Sequence, residues 1–200
     1  MILCLKCKEV FEPIKSERYC IKCAAQLGRE KVGRKRRRIR NDSDVRDIWK
    51  RLQKEVNAMA RAIDYGLPCL ARNYHPNQMH GGHIFSVGSA ISMRFNLHNI
   101  HRQSAQSNHH GNEDGLLREN LRKEYGEAYF EFLQEMRRVD LPSLPASDWM
   151  RILKDAREAK RYIQKEVKEP LDRLARIELR NSVNQDLGIY NNQFSTFNYE

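Results

Sequence analysis

Apolar residues recur at steps of three and four along much of this chain, which is the spacing of one face of an α-helix. The first stripe of this kind follows a group of polar N-cap candidates at residues 41–44. It predicts a helix that ends near Tyr65 and Gly66, with Pro68 beyond it. The apolar positions of this stripe are Val45, Ile48, Trp49, Leu52, Val56, Met59, Ala60 and Ile63.

Two later stripes predict further helices. The stripe over residues 116–136 contains Gly126, which we expect to divide it into two helices. Pro142 marks the end of this region. A last stripe over residues 147–179 predicts a long helix that is interrupted at Pro170, because proline cannot continue the hydrogen-bond pattern.

The segment at residues 69–111 has no such period and is rich in Gly, Ser, Asn and His. We predict two short strands within it, at residues 83–86 and 99–103. The last segment, residues 181–200, is polar and rich in Asn, and we expect a flexible tail or one that docks only on a partner. These elements together predict an α+β fold that is mainly helical.

Two Cys-x2-Cys pairs lie near the N-terminus, first Cys4 with Cys7 and then Cys20 with Cys23. Four thiolates at this spacing are typical of a zinc ribbon, in which they complete a tetrahedral Zn²⁺ shell. A redox dithiol is the alternative for one pair, but two pairs in register favour structural zinc. We therefore predict a zinc ribbon at residues 1–27 whose folding depends on the metal.

The positive charge of the chain is concentrated in its N-terminal arm. The net charge is +10, and residues 1–40 hold 13 Lys and Arg against 4 Asp and Glu. The rest of the chain holds 23 against 22. We expect the linker at residues 28–41 to bind nucleic acid through counterion release, with a solvated linker as the alternative. The linker residues expected to bind are Arg34, Lys35, Arg36, Arg37, Arg38 and Arg40.

No apolar run approaches the ~20 residues that a membrane-spanning helix needs. The apolar stretch in residues 1–7 is also too short for a signal peptide and is interrupted by Lys6. We therefore expect a cytoplasmic protein with no membrane partner, whose cysteines are reduced or bound to metal.

All seven histidines lie between His75 and His110. Because histidine can transfer protons and bind metals near neutral pH, a confined cluster indicates a chemical site. Within the cluster, His83, Asn99 and His110 follow one another as a strand–loop–strand–helix hairpin would require. Hydrolysis of a phosphodiester needs a base for water, a divalent metal and stabilisation of the leaving oxygen, and residues of these types suit that chemistry.

In this region the chain resembles the HNH (ββα-metal) endonucleases, and more narrowly the phage NinG family of recombination endonucleases, also called Rap. The resemblance covers roughly residues 66–135, and the Cys-rich basic N-terminus matches in kind. The motifs that carry it are Gly66-Leu67-Pro68-Cys69, Gly82-His83-Ile84, Met93-Arg94-Phe95-Asn96-Leu97-His98-Asn99-Ile100-His101-Arg102-Gln103 and Ser107-Asn108-His109-His110.

The resemblance implies cleavage of branched DNA, such as recombination junctions, with Mg²⁺ or Mn²⁺. It implies that His83 is the general base, that Asn99 orients this base or supports the hairpin loop, and that His110 binds the metal. Further candidate ligands are His80 and His109. A phage-encoded protein of this kind would act in the cytoplasm of the host cell.

The fold implied by the resemblance is a ββα-metal hairpin flanked by helices. We place it in a nuclease domain at residues 42–140, followed by a helical region at residues 141–180. We expect the protein to contact the DNA backbone and to recognise DNA shape more than base sequence. Because resolving a junction needs paired cuts, we expect a homodimer. We also expect contacts with recombination proteins. The contact residues expected in this part of the chain are Arg94, His101, Arg102 and Arg118.

The chain departs from the family pattern at a second set of cysteine positions. The family carries four cysteines around the hairpin that hold a scaffold zinc, and here only Cys69 remains. The other three positions are Arg72, Ser104 and Ser107. We therefore predict that this metal is absent and that packing replaces it. The packing residues we expect are Phe85, Phe95 and Ile100.

A second departure concerns the residue before the proposed base. Many HNH nucleases place an acidic metal ligand there, whereas this chain has Gly82. His80 is the nearest substitute, but residues three apart on a strand point to opposite faces. We expect His80 to assist only if the backbone bends at Gly81 and Gly82.

Two other classes of function remain open from the sequence. One is a non-catalytic DNA-binding accessory protein for recombination with a decayed HNH site, which the missing cysteines and Gly82 favour. The other is a protein-interaction module that acts through the zinc ribbon.

Overall fold

The structure, a computed structural model, describes residues 2–3, 7–8, 10–11, 23, 26, 45–109 and 113–199. The chain divides into two compact units, Met1–Arg46 and Asp47–Glu200. In the described part, no helix is both long enough and apolar enough to cross a membrane.

The first unit contains a pair of two-residue antiparallel strands, β1 (Ile2–Leu3) and β2 (Val10–Phe11). Cys7 is exposed and Cys23 is buried. The other two cysteines of the predicted ribbon, Cys4 and Cys20, lie outside the described residues, and so does the whole basic linker. The zinc ribbon and the linker contacts stay predictions.

The rest of the structure is mainly helical, with one two-stranded antiparallel sheet. This confirms the predicted α+β class. The first helix, α1, covers residues 45–63. The elements that follow are β3 (Met79–His83), β4 (Ile100–Ser104), α2 (Ala105–His109), α3 (Asp114–Tyr125), α4 (Glu127–Met136), α5 (Ala146–Glu166), α6 (Arg173–Leu187) and α7 (Asn192–Ser195).

The helices form where the apolar stripes predict them. In α1 the stripe is buried, and Gly66, with a φ of 73°, lies in the turn that follows it. Gly126, with a φ of 90°, separates α3 from α4, because this backbone conformation favours glycine. The buried apolar residues of α1 are Ile48, Leu52, Val56, Met59, Ala60 and Ile63.

The first strand of the hairpin differs from the prediction. We expected it at residues 83–86, but β3 is Met79–His83, and residues 84–85 are buried in the loop that follows. The prediction missed β3 because glycine has a low strand propensity and two of its five residues are Gly81 and Gly82. Tertiary packing explains Gly81, because a Cβ built there would lie 2.7 Å from the backbone oxygen of Asn57 in α1.

Gly81→Ala is expected to lower the free energy of unfolding by about 1–3 kcal/mol, because the rigid backbone of α1 must shift to admit the methyl group. Gly88→Ala is the matched control, since nothing lies within 4 Å of a Cβ at that position. Urea unfolding followed by circular dichroism measures both variants. Equal stability of the two would contradict the close contact between β3 and α1.

The C-terminal segment also differs from the prediction of a flexible tail. Residues 181–187 belong to α6, and Phe194 and Phe197 are buried. The Asn184 side chain accepts a hydrogen bond from the backbone N–H of Leu97 at 3.0 Å and donates one to Asn96 Oδ1 at 3.0 Å. Amides of the polar segment thus satisfy groups of the irregular hairpin loop, which has few partners within its own secondary structure. Helices α5 and α6 lie in the same compact unit as the hairpin.

A buried ion-pair cluster connects the end of α1 to α6. The carboxylate of Asp64 lies 2.8 Å from the Arg180 guanidinium, and both side chains are fully buried. Asp64 also accepts the backbone N–H of Arg102 in β4 at 3.1 Å. Glu124 of α3 extends the cluster by pairing with Arg102 and Arg176. The cluster therefore joins four elements that are distant in sequence.

Candidate functional site

His83 is the last residue of β3 and is partly buried at the start of the hairpin loop. Its Nε2 lies 3.0 Å from the backbone oxygen of Arg94, which can only accept a hydrogen bond. The Nε2 atom must therefore carry the proton in the neutral ring. The Nδ1 atom then holds a lone pair, and it has no hydrogen-bond partner among the described residues.

The surroundings of His83 favour the neutral ring. Burial lowers the pKa of His83 below its ordinary value, the hydrogen bond to the Arg94 carbonyl opposes this, and the positive charge of Arg94 lowers it further. The imidazole is therefore uncharged near neutral pH. A neutral imidazole with a free lone pair can accept a proton from water.

Asn99 holds the loop that contains Arg94. Its Oδ1 accepts the backbone N–H of Phe85 at 2.9 Å, and its Nδ2 donates to the backbone oxygen of Phe85 at 3.0 Å. Nδ2 also lies 3.4 Å from the backbone oxygen of Met93. A fully buried amide thus pairs with both backbone groups of one residue. The Asn99 side chain supports the loop, and none of these hydrogen bonds involves His83.

Helix α1 contributes a side chain that the sequence reasoning missed. Gln53 Oε1 accepts a hydrogen bond from Arg94 Nε at 3.1 Å, while Gln53 Nε2 donates to Asn57 Oδ1 at 2.7 Å and lies 3.4 Å from His83 Nε2. The side chain of Arg94 is therefore held beside the imidazole. Polar Gln53 and Asn57 at the border of an apolar stripe were the only hint of this contact in the sequence.

The backbone of β3 is regular through both glycines. Each residue of β3 pairs with one residue of β4, from Met79 opposite Ser104 to His83 opposite Ile100. No bend therefore brings His80 to the face of His83, and His80 shares the face of Gly82 instead. A Cβ at Gly82 would overlap Gln103 Oε1 and lie 2.8 Å from Asn108 Oδ1, so this face of β3 is directed towards α2.

The predicted catalytic metal site is only partly described. His80 lies on the α2 side of the hairpin, whereas His110 and the side chain of His109 lie outside the described residues. Within the described ranges no three His, Cys, Asp or Glu side chains come together as metal ligands. The metal and its ligands stay predictions.

A family model described as the bacteriophage lambda NinG protein matches residues 1–166. The chain belongs to the NinG family. No curated protein and no solved structure matches the chain.

In this NinG chain, hydrogen bonds close the region where we predicted the loss of a scaffold zinc. The Cys69 sulfur accepts the backbone N–H of Ser104 at 3.1 Å, and the hydroxyls of Ser104 and Ser107 are 2.9 Å apart. The Arg72 side chain pairs with Glu113. One thiol, two hydroxyls and a cation are not a donor set for zinc.

Of the residues that we expected to pack in place of this zinc, Phe85 belongs to the same buried cluster as Cys69. Phe85 packs on Phe130, and Phe95 packs between Trp49 and Trp149. Ile100 is buried in β4. Burial raises the pKa of the Cys69 thiol, but backbone N–H groups, first that of Ser104, outweigh this and lower it. Hydrogen bonds with Ser104 and Ser107 thus surround the Cys69 sulfur, and the absence of the scaffold zinc stays a prediction.

Two of the residues predicted to contact DNA have buried side chains. His101 is 0% exposed, and its Nε2 donates to the backbone oxygen of His98 at 2.9 Å. Arg102 is 4% exposed and donates to the backbone oxygen of Pro68 and to Glu124. Neither residue can reach a phosphate in this structure.

The two other predicted contacts remain accessible. Arg118 is partly exposed beside Asp114, at 3.7 Å, and its guanidinium lies over the ring of Phe85. Arg94 is partly buried and lies next to His83. Arg94 is therefore the predicted contact that best fits a site built around His83.

Proposed function

We propose that the chain is a metal-dependent, HNH-type endonuclease that cuts branched DNA intermediates of recombination. Membership of the NinG family suggests a phage protein related to recombination. The observation that carries the proposal is the imidazole of His83, neutral and held by the Arg94 carbonyl with its Nδ1 free. This arrangement supports a base that activates water against a phosphodiester.

In the proposed reaction, His83 Nδ1 takes a proton from the attacking water. The Arg94 carbonyl keeps the proton on Nε2 and accepts its hydrogen bond more strongly once the ring is charged. Asn99 keeps this carbonyl in place by clamping Phe85 in the same loop. Arg94 itself can pair with the phosphate through its guanidinium.

A bound Mg²⁺ or Mn²⁺ would neutralise charge on the scissile phosphate and on the leaving oxygen. The residues proposed to hold it are His110 and His109, because no bend in β3 brings His80 to the face of His83. We retain the ribbon zinc on Cys4, Cys7, Cys20 and Cys23 in the proposal as a structural metal. The linker arginines and Arg118 are proposed to bind the DNA backbone.

Cleavage of labelled DNA by the purified full-length chain tests the proposal. Four-way, forked and linear duplexes would be incubated with Mg²⁺, with Mn²⁺ or with EDTA. We expect cutting with a divalent ion, a preference for branched DNA, and no cutting in EDTA. Cutting that persists at full rate in EDTA would contradict the metal dependence.

A non-catalytic DNA-binding accessory protein is the second candidate, and Gly82 favours it because this position supplies no side chain to a metal. Tight binding to junctions with no cutting under any metal would support this candidate. Absence of DNA binding at low salt would favour a protein-interaction module instead.

A further inference from the structure

Three cations lie together on the solvent-facing side of α1. Lys50, Lys54 and Arg61 are exposed, and at 100° per residue their directions fall within about 40° of one another. Along the helix axis they span about 16 Å. They therefore lie in one row along the helix, which we call the α1 stripe.

The α1 stripe borders the His83 site. Helix α1 runs along β3, with Asn57 against Gly81 and Gln53 beside His83. Around the axis of α1, the direction of Gln53 differs by about 60–100° from the directions of the stripe residues. The stripe therefore lies roughly a quarter turn around the helix from the side chain that is next to His83. One turn beyond Asn57, Arg61 lies towards the Met79 end of the strand.

The cations on this side lack carboxylate partners. Lys54, Arg61 and Arg94 form no ion pair within the described ranges, and Lys50 pairs with Asp47 only in an exposed contact at 3.3 Å. Glu55, on the other side of α1, pairs with Lys160 at 2.6 Å and with Arg157 at 3.4 Å. The positive charge of Lys54, Arg61 and Arg94 is thus left uncompensated in the described part of the chain.

Arg94 places a further positive charge next to the imidazole of His83. Gln53 holds its Nε, and its guanidinium lies over the rings of Trp49 and Phe95 at 5.7 and 5.5 Å. Burial lowers the pKa of both Arg94 and Arg61, and no carboxylate offsets this cost in the described part of the chain. An arginine that is partly desolvated and lacks a counterion is suited to bind an external anion.

Phosphate spacing matches the length of the stripe. One DNA strand carries a phosphate about every 3.4 Å along the duplex axis, so about 16 Å can face roughly four or five phosphates. Each cation that neutralises a phosphate releases condensed counterions, which gives affinity without reading sequence.

We propose that the DNA backbone lies along the α1 stripe, where Lys54 and Arg61 hold the strand whose phosphate reaches Arg94 and His83. This DNA path rests on the proposed function, since the α1 stripe is the surface that would deliver DNA to the His83 site. It also assigns α1, which lies outside the hairpin, to DNA binding.

The test uses the full chain with His83→Ala in every protein, so that binding is measured without cutting. Fluorescence anisotropy with a labelled four-way junction would compare Lys54→Gln/Arg61→Gln with Lys154→Gln/Lys165→Gln. The control removes two exposed charges from α5, where Lys154 and Lys165 are 75% and 82% exposed. Circular dichroism would establish that both variants are folded.

We expect the α1 variant to weaken binding about tenfold or more near 0.15 M salt. Its slope of log K against log[salt] should fall by about 1.8, which corresponds to two lost phosphate contacts at about 0.9 each. The α5 control should bind within about twofold of its parent. Equal effects of the two variants, or none, would overturn the proposed surface.

The two proposals can fail separately. A wild-type chain that cuts junctions while the α1 variant binds as tightly as its parent would overturn the DNA path along α1 and leave the nuclease proposal intact. A wild-type chain that neither binds nor cuts any DNA would overturn both.

Discussion

Replacing His83 with alanine is expected to slow DNA strand scission by about 10²- to 10⁴-fold, the usual contribution of a positioned general base. The Arg94 carbonyl fixes the tautomer of the His83 imidazole, and this leaves Nδ1 as an acceptor that can take a proton. DNA binding should be retained, because the cations of Arg94 and of the α1 stripe remain. Single-turnover cleavage with saturating metal measures the rate, and anisotropy measures binding.

His75→Ala is the matched control for this variant. His75 is exposed and lies outside β3, so its loss should leave the rate within about twofold of wild type. A His83→Ala protein that is folded, binds DNA and cuts at the wild-type rate would exclude His83 as the base.

The pH dependence gives a second measurement on the same residue. Burial is the largest influence on the pKa of His83 and lowers it below its ordinary value of 6.5. The neutral, active form should therefore persist as the pH falls through 6.5, and the rate should decline only at lower pH. An acid limb of kcat/KM centred above 6.5 would contradict this assignment.

Asp64→Asn is expected to lower the free energy of unfolding by about 3–5 kcal/mol, the largest stability effect that we predict. The substitution leaves the guanidinium of Arg180 without its counterion in a fully buried position. It also places an amide where the carboxylate accepted hydrogen bonds from Arg180 and from the Arg102 backbone. Since whole domains are stable by only about 5–15 kcal/mol, the loss should be visible as a lower urea midpoint.

An exposed pair supplies the control for the Asp64 variant. Asp155 and Arg151 lie 3.3 Å apart on the surface of α5, and Asp155→Asn should change stability by roughly 0–1 kcal/mol. A double variant, Asp64→Asn with Arg180→Met, should be less destabilised than the sum of the two single variants, because the unpaired charge is gone. Additive losses would mean that the two residues do not interact.

The Asp64 effect should also depend on pH in a defined direction. Burial alone would raise the pKa of Asp64, but the charges of Arg180 and Arg102 outweigh burial and hold it well below its ordinary value. The stabilisation by Asp64 is therefore complete above the unfolded value of 3.8 and is lost only as the pH falls further. The difference between wild type and Asp64→Asn should stay constant from neutral pH to about 4 and shrink in stronger acid.

The helices and the histidine region could be predicted from the sequence because the relevant information is local. Apolar spacing determines which face of α1 is buried, and Gly126 ends α3 through its own backbone conformation. The confinement of histidines to residues 75–110 similarly marked His83 without any knowledge of contacts. Family likeness then added an expected role for this residue.

Elements whose identity depends on distant partners could not be predicted in this way. The glycines of β3 fell outside the predicted strand, yet Gly81 allows the strand to approach α1. We expected the polar segment from Asn181 to be flexible or to dock only on a partner, yet its amides satisfy a loop almost ninety residues earlier in the chain. Composition indicates what a segment prefers when isolated, and it does not reveal which unsatisfied groups the segment will meet.

The sequence by itself determined the helical class, the position of the buried face of α1, and the choice of His83 as the candidate base. Only the tertiary structure decided that His101 and Arg102 are internal, that Gln53 and Arg94 flank the imidazole, and that Asp64 meets Arg180. The physical reason is that apolar periodicity acts between residues three or four apart. Hydrogen bonds and ion pairs between buried groups depend instead on positions far apart in the chain, which only folding brings together.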